Sequence, residues 1–154
     1  MTTLACNKGS VPEPPMVIEY NGVCYNGENT IAPFYFNTDG ETFSFIFYNY
    51  ILQSGSGKKL YLSFRTIYSE PFELGKIYEL PTGLTMQYVN LYYYDANGVL
   101  HDYYVKNGWL RFVMRPPELN GEFEFEAIDS INGTICHVTN GRFDLTRQIE
   151  GNEY

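Results

Sequence analysis

An all-β fold is what this sequence predicts: a single antiparallel β-sandwich, with a calycin-like β-barrel as the alternative packing of the same strands. Three observations lead there. The stretch from Gly121 to Thr146 alternates Phe123, Phe125 and Ala127 with Glu122, Glu124 and Glu126, the period-two pattern of a strand with one buried face. Asn-Gly and Asp-Gly pairs recur along the chain, and these residues best tolerate the positive φ angles that a type I′ hairpin turn requires. Tyr and Phe, 15 and 11 of 154 residues, suit pleated and half-buried surfaces. No segment carries a sustained helical apolar stripe.

Residues 1–15 read as a Pro-rich tether, 16–149 as one domain and 150–154 as a tail. Within the domain, Met16–Tyr20 and Val23–Tyr25 flank the turn Asn21-Gly22. Thr30–Phe36 follows and contains Pro33, which cannot donate to a ladder and so places this strand at an edge. Asp39-Gly40 turns into Thr42–Leu52, where Phe43, Phe45 and Phe47 share a face. Ser54–Gly57 is a loop, and Lys59–Ile67 sets Leu60, Leu62 and Phe64 opposite Tyr61, Ser63 and Arg65. Ile77–Leu80 is a short strand stopped by Pro81. Thr85–Tyr94 and Val99–Val105 are joined through Ala96-Asn97-Gly98. Asn107-Gly108 is expected to turn into Trp109–Met114, with Arg115-Pro116-Pro117 as a rigid connection. In the last third, Asn132-Gly133 and Asn140-Gly141 predict a three-strand meander with Phe123, Phe125, Val138, Phe143 and Leu145 in the core.

Charge narrows the partners. A formal net charge of −8, with ten basic residues scattered along the chain, argues against nucleic acid, whose phosphates need a clustered basic patch. It also disfavours an anionic membrane surface. A membrane enters only through a lipid. Cys6 stands behind a short Leu-Ala run and ahead of a Pro-rich leader, which resembles the end of a bacterial lipoprotein signal. A working signal has an apolar run of roughly 7–15 residues, so lipid attachment at Cys6 requires a start upstream of Met1. The chain then belongs to the cell envelope, in the periplasm or on the outer-membrane surface; with Met1 as the start it reads as cytoplasmic. Of the remaining cysteines, Cys24 and Cys136 either pair or stay as buried thiols.

Chemistry is sparse. His101 and His137 lie in separate strands, and His137 points away from its neighbour Cys136 because adjacent strand residues face opposite sides. Glu122, Glu124 and Glu126, with Asp129 close by, read as a solvated face that discourages edge pairing rather than as a curved cation loop. There is no nucleophile elbow, phosphate loop or zinc-protease motif, so no catalytic residue, metal or cofactor is expected. The tyrosines are the candidate binding residues. Tyr92, Tyr93 and Tyr94 sit on one strand and Tyr103 and Tyr104 on the next, so tyrosine must appear on both faces of the pair. An exposed tyrosine platform with nearby acids and amides is an arrangement that holds sugar rings.

The C-terminal GEFEFEAIDSINGTICHVTNGRFDLT also resembles the closing motif of small lipoproteins of unknown function from Bacteroidetes-type bacteria. That pattern, Gly-x-Phe-x-Phe and then Val-Thr-x-Gly-x-Phe-Asp, falls on Gly121, Phe123, Phe125, Gly133, Val138, Thr139, Gly141, Phe143 and Asp144. GKIYEL at 75–80 and the Asn107–Phe112 segment are similar to further strands of that family. The resemblance implies an all-β protein anchored in the envelope and no catalytic residues. Sequence and resemblance together lead to a non-catalytic envelope lipoprotein domain that engages an unknown protein or ligand partner. The alternative is a glycan-binding module using the tyrosines.

Overall fold

The computed structural model describes residues 14–27, 34–82, 86–114 and 119–145. Cys6, most of the tether, Pro33, Arg115-Pro116-Pro117 and the tail at 150–154 lie outside the described residues. Within them the chain forms ten strands: β1 (Met16–Tyr20), β2 (Val23–Gly27), β3 (Phe34–Thr38), β4 (Phe43–Ser54), β5 (Lys59–Tyr68), β6 (Ile77–Glu79), β7 (Tyr88–Tyr94), β8 (Leu100–Met114), β9 (Asn120–Asp129) and β10 (Ile135–Asp144).

All strand pairs are antiparallel, in the order β2-β1-β10-β9-β8-β7-β5-β4-β3. One further pairing decides the architecture. Tyr25, Asn26 and Gly27 of β2 pair with Ser54, Gln53 and Leu52 of β4, which joins the two ends of the sheet into an eight-strand barrel. The sheet is continuous and does not divide into two stacked layers, so the sandwich expectation gives way to closure. β3 borders β4 at the sheet's edge, as Pro33 foretold, and β6 is a short addition to β8.

Closure depends on bulges that bend the long strands. In β4 the register slips between Phe47 and Tyr50, and Asn49 sits at φ 54°. The inward face therefore passes from Phe43, Phe45 and Phe47 to Tyr50, Leu52 and Ser54. In β8 the slip falls between Val105 and Asn107, and in β10 between Val138 and Gly141, with Asn140 at φ 51°. Two expected turns are thus bulges inside continuous strands. Asn107-Gly108 does not end a strand, and Asn140-Gly141 does not open a third meander strand. Glycine is required there by contact: a Cβ on Gly108 would collide with Phe125 and the Glu124 carbonyl, and one on Gly141 would lie 2.7 Å from the Phe123 ring. The turn at Asn21-Gly22 does form, at φ 49° and 82°.

The interior is aromatic. Phe45, Phe64, Phe112, Phe123 and Phe143 are buried, and Phe45 stacks on Phe143 with centroids 5.1 Å apart. Phe123, Phe125, Val138, Phe143 and Leu145 are all buried, as the alternation predicts. The antiparallel register places the turns β1–β2, β4–β5, β7–β8 and β9–β10 around one end of the barrel. The opposite end is plugged. There Phe36, Phe43, Tyr68, Phe72, Tyr78 and Phe112 form an aromatic cluster, mostly edge to face, with Phe43 stacked on Tyr68. The Tyr78 hydroxyl donates to the Pro71 carbonyl (2.9 Å) and accepts from the Glu73 N–H (2.8 Å), which ties the connecting segment over that end.

Candidate functional site

The plug leaves the hairpin end as the place where the barrel opens. A pocket of about 540 Å³ lies there, lined by Tyr20, Tyr25, Lys58, Lys59, Leu60, Tyr93, Tyr94, Asp95 and Ala96. Its residues come from three hairpins. Tyr20 and Tyr25 bracket the β1–β2 turn and meet edge to face at 5.8 Å. Lys58 and Lys59 follow the β4–β5 turn, and Tyr94, Asp95 and Ala96 form the start of the β7–β8 turn. That last turn is held by Asp95, whose carboxylate accepts from the N–H groups of Asn97 (2.8 Å) and Val99 (3.0 Å).

Behind the pocket wall is a polar cluster unlike the rest of the interior. Tyr93 stacks on His101, its cross-strand partner, with centroids 4.8 Å apart and planes within 11°. His101 Nε2 lies 2.9 Å from Asp95 and Nδ1 3.5 Å from Asp129. The Asp95 hydrogen bond chiefly raises the His101 pKa above its ordinary value, against partial burial, with Asp129 adding to the rise. Asp129 is buried, which pushes its carboxyl upward, yet N–H donors from Ile131 (2.8 Å) and Asn132 (3.3 Å) together with His101 hold it below the usual range. Burial, then the neighbouring Tyr103, pushes the Tyr93 hydroxyl up to about 12. Tyr20 is raised further by burial and by its hydrogen bond with Tyr103. All of these hydroxyls are neutral at physiological pH.

The structure divides the sequence's tyrosines between two faces. Tyr93 and Tyr103 point into the barrel, and Tyr103 is buried. Tyr94 is exposed and reaches the pocket from the strand tip. Tyr92 and Tyr104 lie on the outer wall. Tyr92 stacks on Tyr61 at 4.9 Å, and its hydroxyl donates to Asn49 Oδ1 (3.0 Å). Tyr104 is hydrogen-bonded to Asp102, which also accepts from Asn90 Nδ2 (2.9 Å). The five tyrosines therefore do not make one platform. On the outer wall, Tyr92 turns one face to Tyr61 and meets Tyr94 edge to face at 6.2 Å.

Other sequence candidates resolve separately. The glutamate row is partnered: Glu122 with Arg111, Glu124 with the Asn140 N–H (3.0 Å), and Glu126 with Asn107 (2.9 Å) and His137 (3.1 Å). Asp129, grouped with that row by sequence, is on the opposite face. Cys136 is a free buried thiol raised to about 12 by burial, so no Cys24–Cys136 bridge forms; Cys24 is disulfide-bonded. Sequence reasoning missed Tyr20, Tyr25, Lys58, Lys59, Asp95 and His101 as neighbours. Their only local signal was position beside a turn, and it gains meaning once closure brings β2 to β4. Comparison of the chain with family models, with curated proteins and with solved structures returns no match.

Proposed function

We propose that this protein is a non-catalytic ligand-binding barrel, calycin-like in arrangement, that takes a small ring-bearing ligand at its open end. The observation that carries the reading is the tyrosine-lined pocket of about 540 Å³. That volume is in the range of small-molecule sites, roughly 300–1,000 Å³, which combine mostly apolar walls with a few polar groups. Both nitrogens of His101 face carboxylates. That leaves the one histidine beside the pocket without a free nitrogen to act as a base, which supports binding rather than catalysis. Tyrosine walls favour the glycan form of the reading, because a ring's negative face attracts the polarised C–H face of a sugar.

A thermal-shift screen with oligosaccharides and small cyclic metabolites tests it. Ligands should raise the melting temperature of the wild type, and the shift should vanish in Ala96→Trp, where a bulky ring on an exposed turn obstructs the pocket. Equal shifts in Ala96→Trp, or no stabilising compound at all, would count against the pocket.

The cell-envelope setting belongs to the same proposal and rests on Cys6 and the lipoprotein resemblance. A lipid on Cys6 and a disulfide through Cys6 exclude one another, because each uses the same thiol. Intact mass of the protein isolated from its native cells reads both. A diacylglyceryl adduct on Cys6 supports anchoring, and a Cys6–Cys24 peptide pair removes it.

A further inference from the structure

Resting on the pocket reading above, we propose that the open end selects a ring that bears a carboxylate, with Lys58 facing the anionic group and the tyrosines facing the ring. The argument begins with charge. The whole chain carries −8 and repels anions at long range, yet two adjacent lysines line this pocket. Among the described residues, the carboxylate that lines it, Asp95, is turned to His101 and to the N–H groups of its own turn. Among the described lining residues Lys58 thus brings positive charge to the pocket of an acidic molecule, and low-dielectric walls focus such a field rather than dilute it.

Position supports the same assignment. The root of Lys58 is fixed by a tight turn: the Ser54 N–H donates to the Lys58 carbonyl (2.9 Å), the Lys58 N–H donates to Ser54 Oγ (3.2 Å), and the Gly57 N–H donates to the Ser54 carbonyl (3.0 Å). Ser54 is buried, pairs with Tyr25 across the closing seam and hydrogen-bonds its side chain. The backbone of the lysine and the Tyr25 side of the pocket are thus set by one seam. Tyr93 adds another ring to the lining, stacked on His101 and on Tyr103, which hold it in place. A cation and two aromatic surfaces around one small volume match a flat or puckered ring with an acidic substituent. A neutral sugar would leave the charge of Lys58 unmatched, and a simple inorganic anion would leave the rings unused.

Two paired probes test this in the full chain: digalacturonate against neutral digalactose, and indole-3-acetate against its amide. Binding is read by calorimetry, and its location by amide NMR shifts at Lys58, Tyr93 and Ala96. The acid of at least one pair should bind about ten-fold more tightly than its neutral partner at low salt. Lys58→Met should reduce that preference to about three-fold or less while circular dichroism stays unchanged. The digalacturonate pair showing the effect marks a glycan ligand, and the indole pair an aromatic metabolite. Equal affinity of acid and neutral partners, or a preference that survives Lys58→Met, overturns the charge selection and leaves the pocket reading standing. Absence of shifts at the pocket with all four probes overturns both.

Discussion

His101 is the residue whose protonation the surrounding structure controls most directly. Its partners Asp95 and Asp129 lie on either side of the ring, and the Tyr93 ring covers one face. His101 has a folded pKa above its ordinary 6.5, so its contribution to stability is complete below about pH 6.5 and is lost as pH rises through the folded value. Asp95 and Asp129 have folded values below 3.8, so theirs is complete above about pH 4 and is lost as pH falls through those lower values. The cluster stabilises most between those limits. The melting temperature of His101→Gln should therefore fall below wild type by the largest margin near pH 5. The margin should shrink steadily above pH 7 as the wild-type imidazolium loses its proton. A margin equal at pH 5 and pH 9 would mean that the ring matters through packing alone.

At the level of strands, the same dipeptide does two jobs. Asn21-Gly22 and Asn132-Gly133 make hairpin turns, whereas Asn107-Gly108 and Asn140-Gly141 lie inside β8 and β10. Asn140, a bulge residue, and Asn21, a turn residue, both adopt positive φ, so local conformation cannot separate the cases. Length can. β9 alternates without interruption from Asn120 to Asp129 and pairs along that span with both neighbours. A strand of that length needs partners that read through Asn107-Gly108 and Asn140-Gly141. The burial pattern of β9 and the hairpin tips were thus legible in the sequence, because both depend on near neighbours. The seam between β2 and β4, which assembles the pocket, was not, because nothing near Tyr25 encodes its pairing with Ser54. The contact role of the bulge glycines gives a direct measurement. Gly108→Ala and Gly141→Ala should each cost about 1–3 kcal/mol in urea unfolding, the range for forcing an added methyl into a packed site. Gly55→Ala, in open space on an exposed loop, should change stability little. Equal small effects at all three would remove steric contact as the reason for glycine in the bulges.

Across the whole molecule, closure separates the work of the two ends. At the plugged end Phe112 contacts Phe36, Phe43, Phe45, Phe72 and Phe143 and is fully buried, so its interactions hold β3, β4, β8, β10 and the connecting segment together. At the open end Tyr94 is more than half exposed and Lys58 is exposed, so their side chains contribute little to the packed interior. Stability and binding should accordingly respond to different substitutions. Phe112→Ala should destabilise by about 3–5 kcal/mol, the cost of removing a large buried ring whose site refills only in part. Phe112→Leu keeps more of the volume and should retain a folded barrel at a smaller loss. That folded variant should bind any ligand of the open end as the wild type does, because no residue of the plug lines the pocket. Tyr94→Ala should do the reverse and weaken binding with little change in unfolding free energy. Calorimetry and urea melts on Phe112→Leu and Tyr94→Ala give four numbers that decide the matter. If Phe112→Leu weakens binding as much as Tyr94→Ala does, the two ends are mechanically coupled through the barrel wall. The rigid division of the molecule into a plugged end that stabilises and an open end that binds then fails.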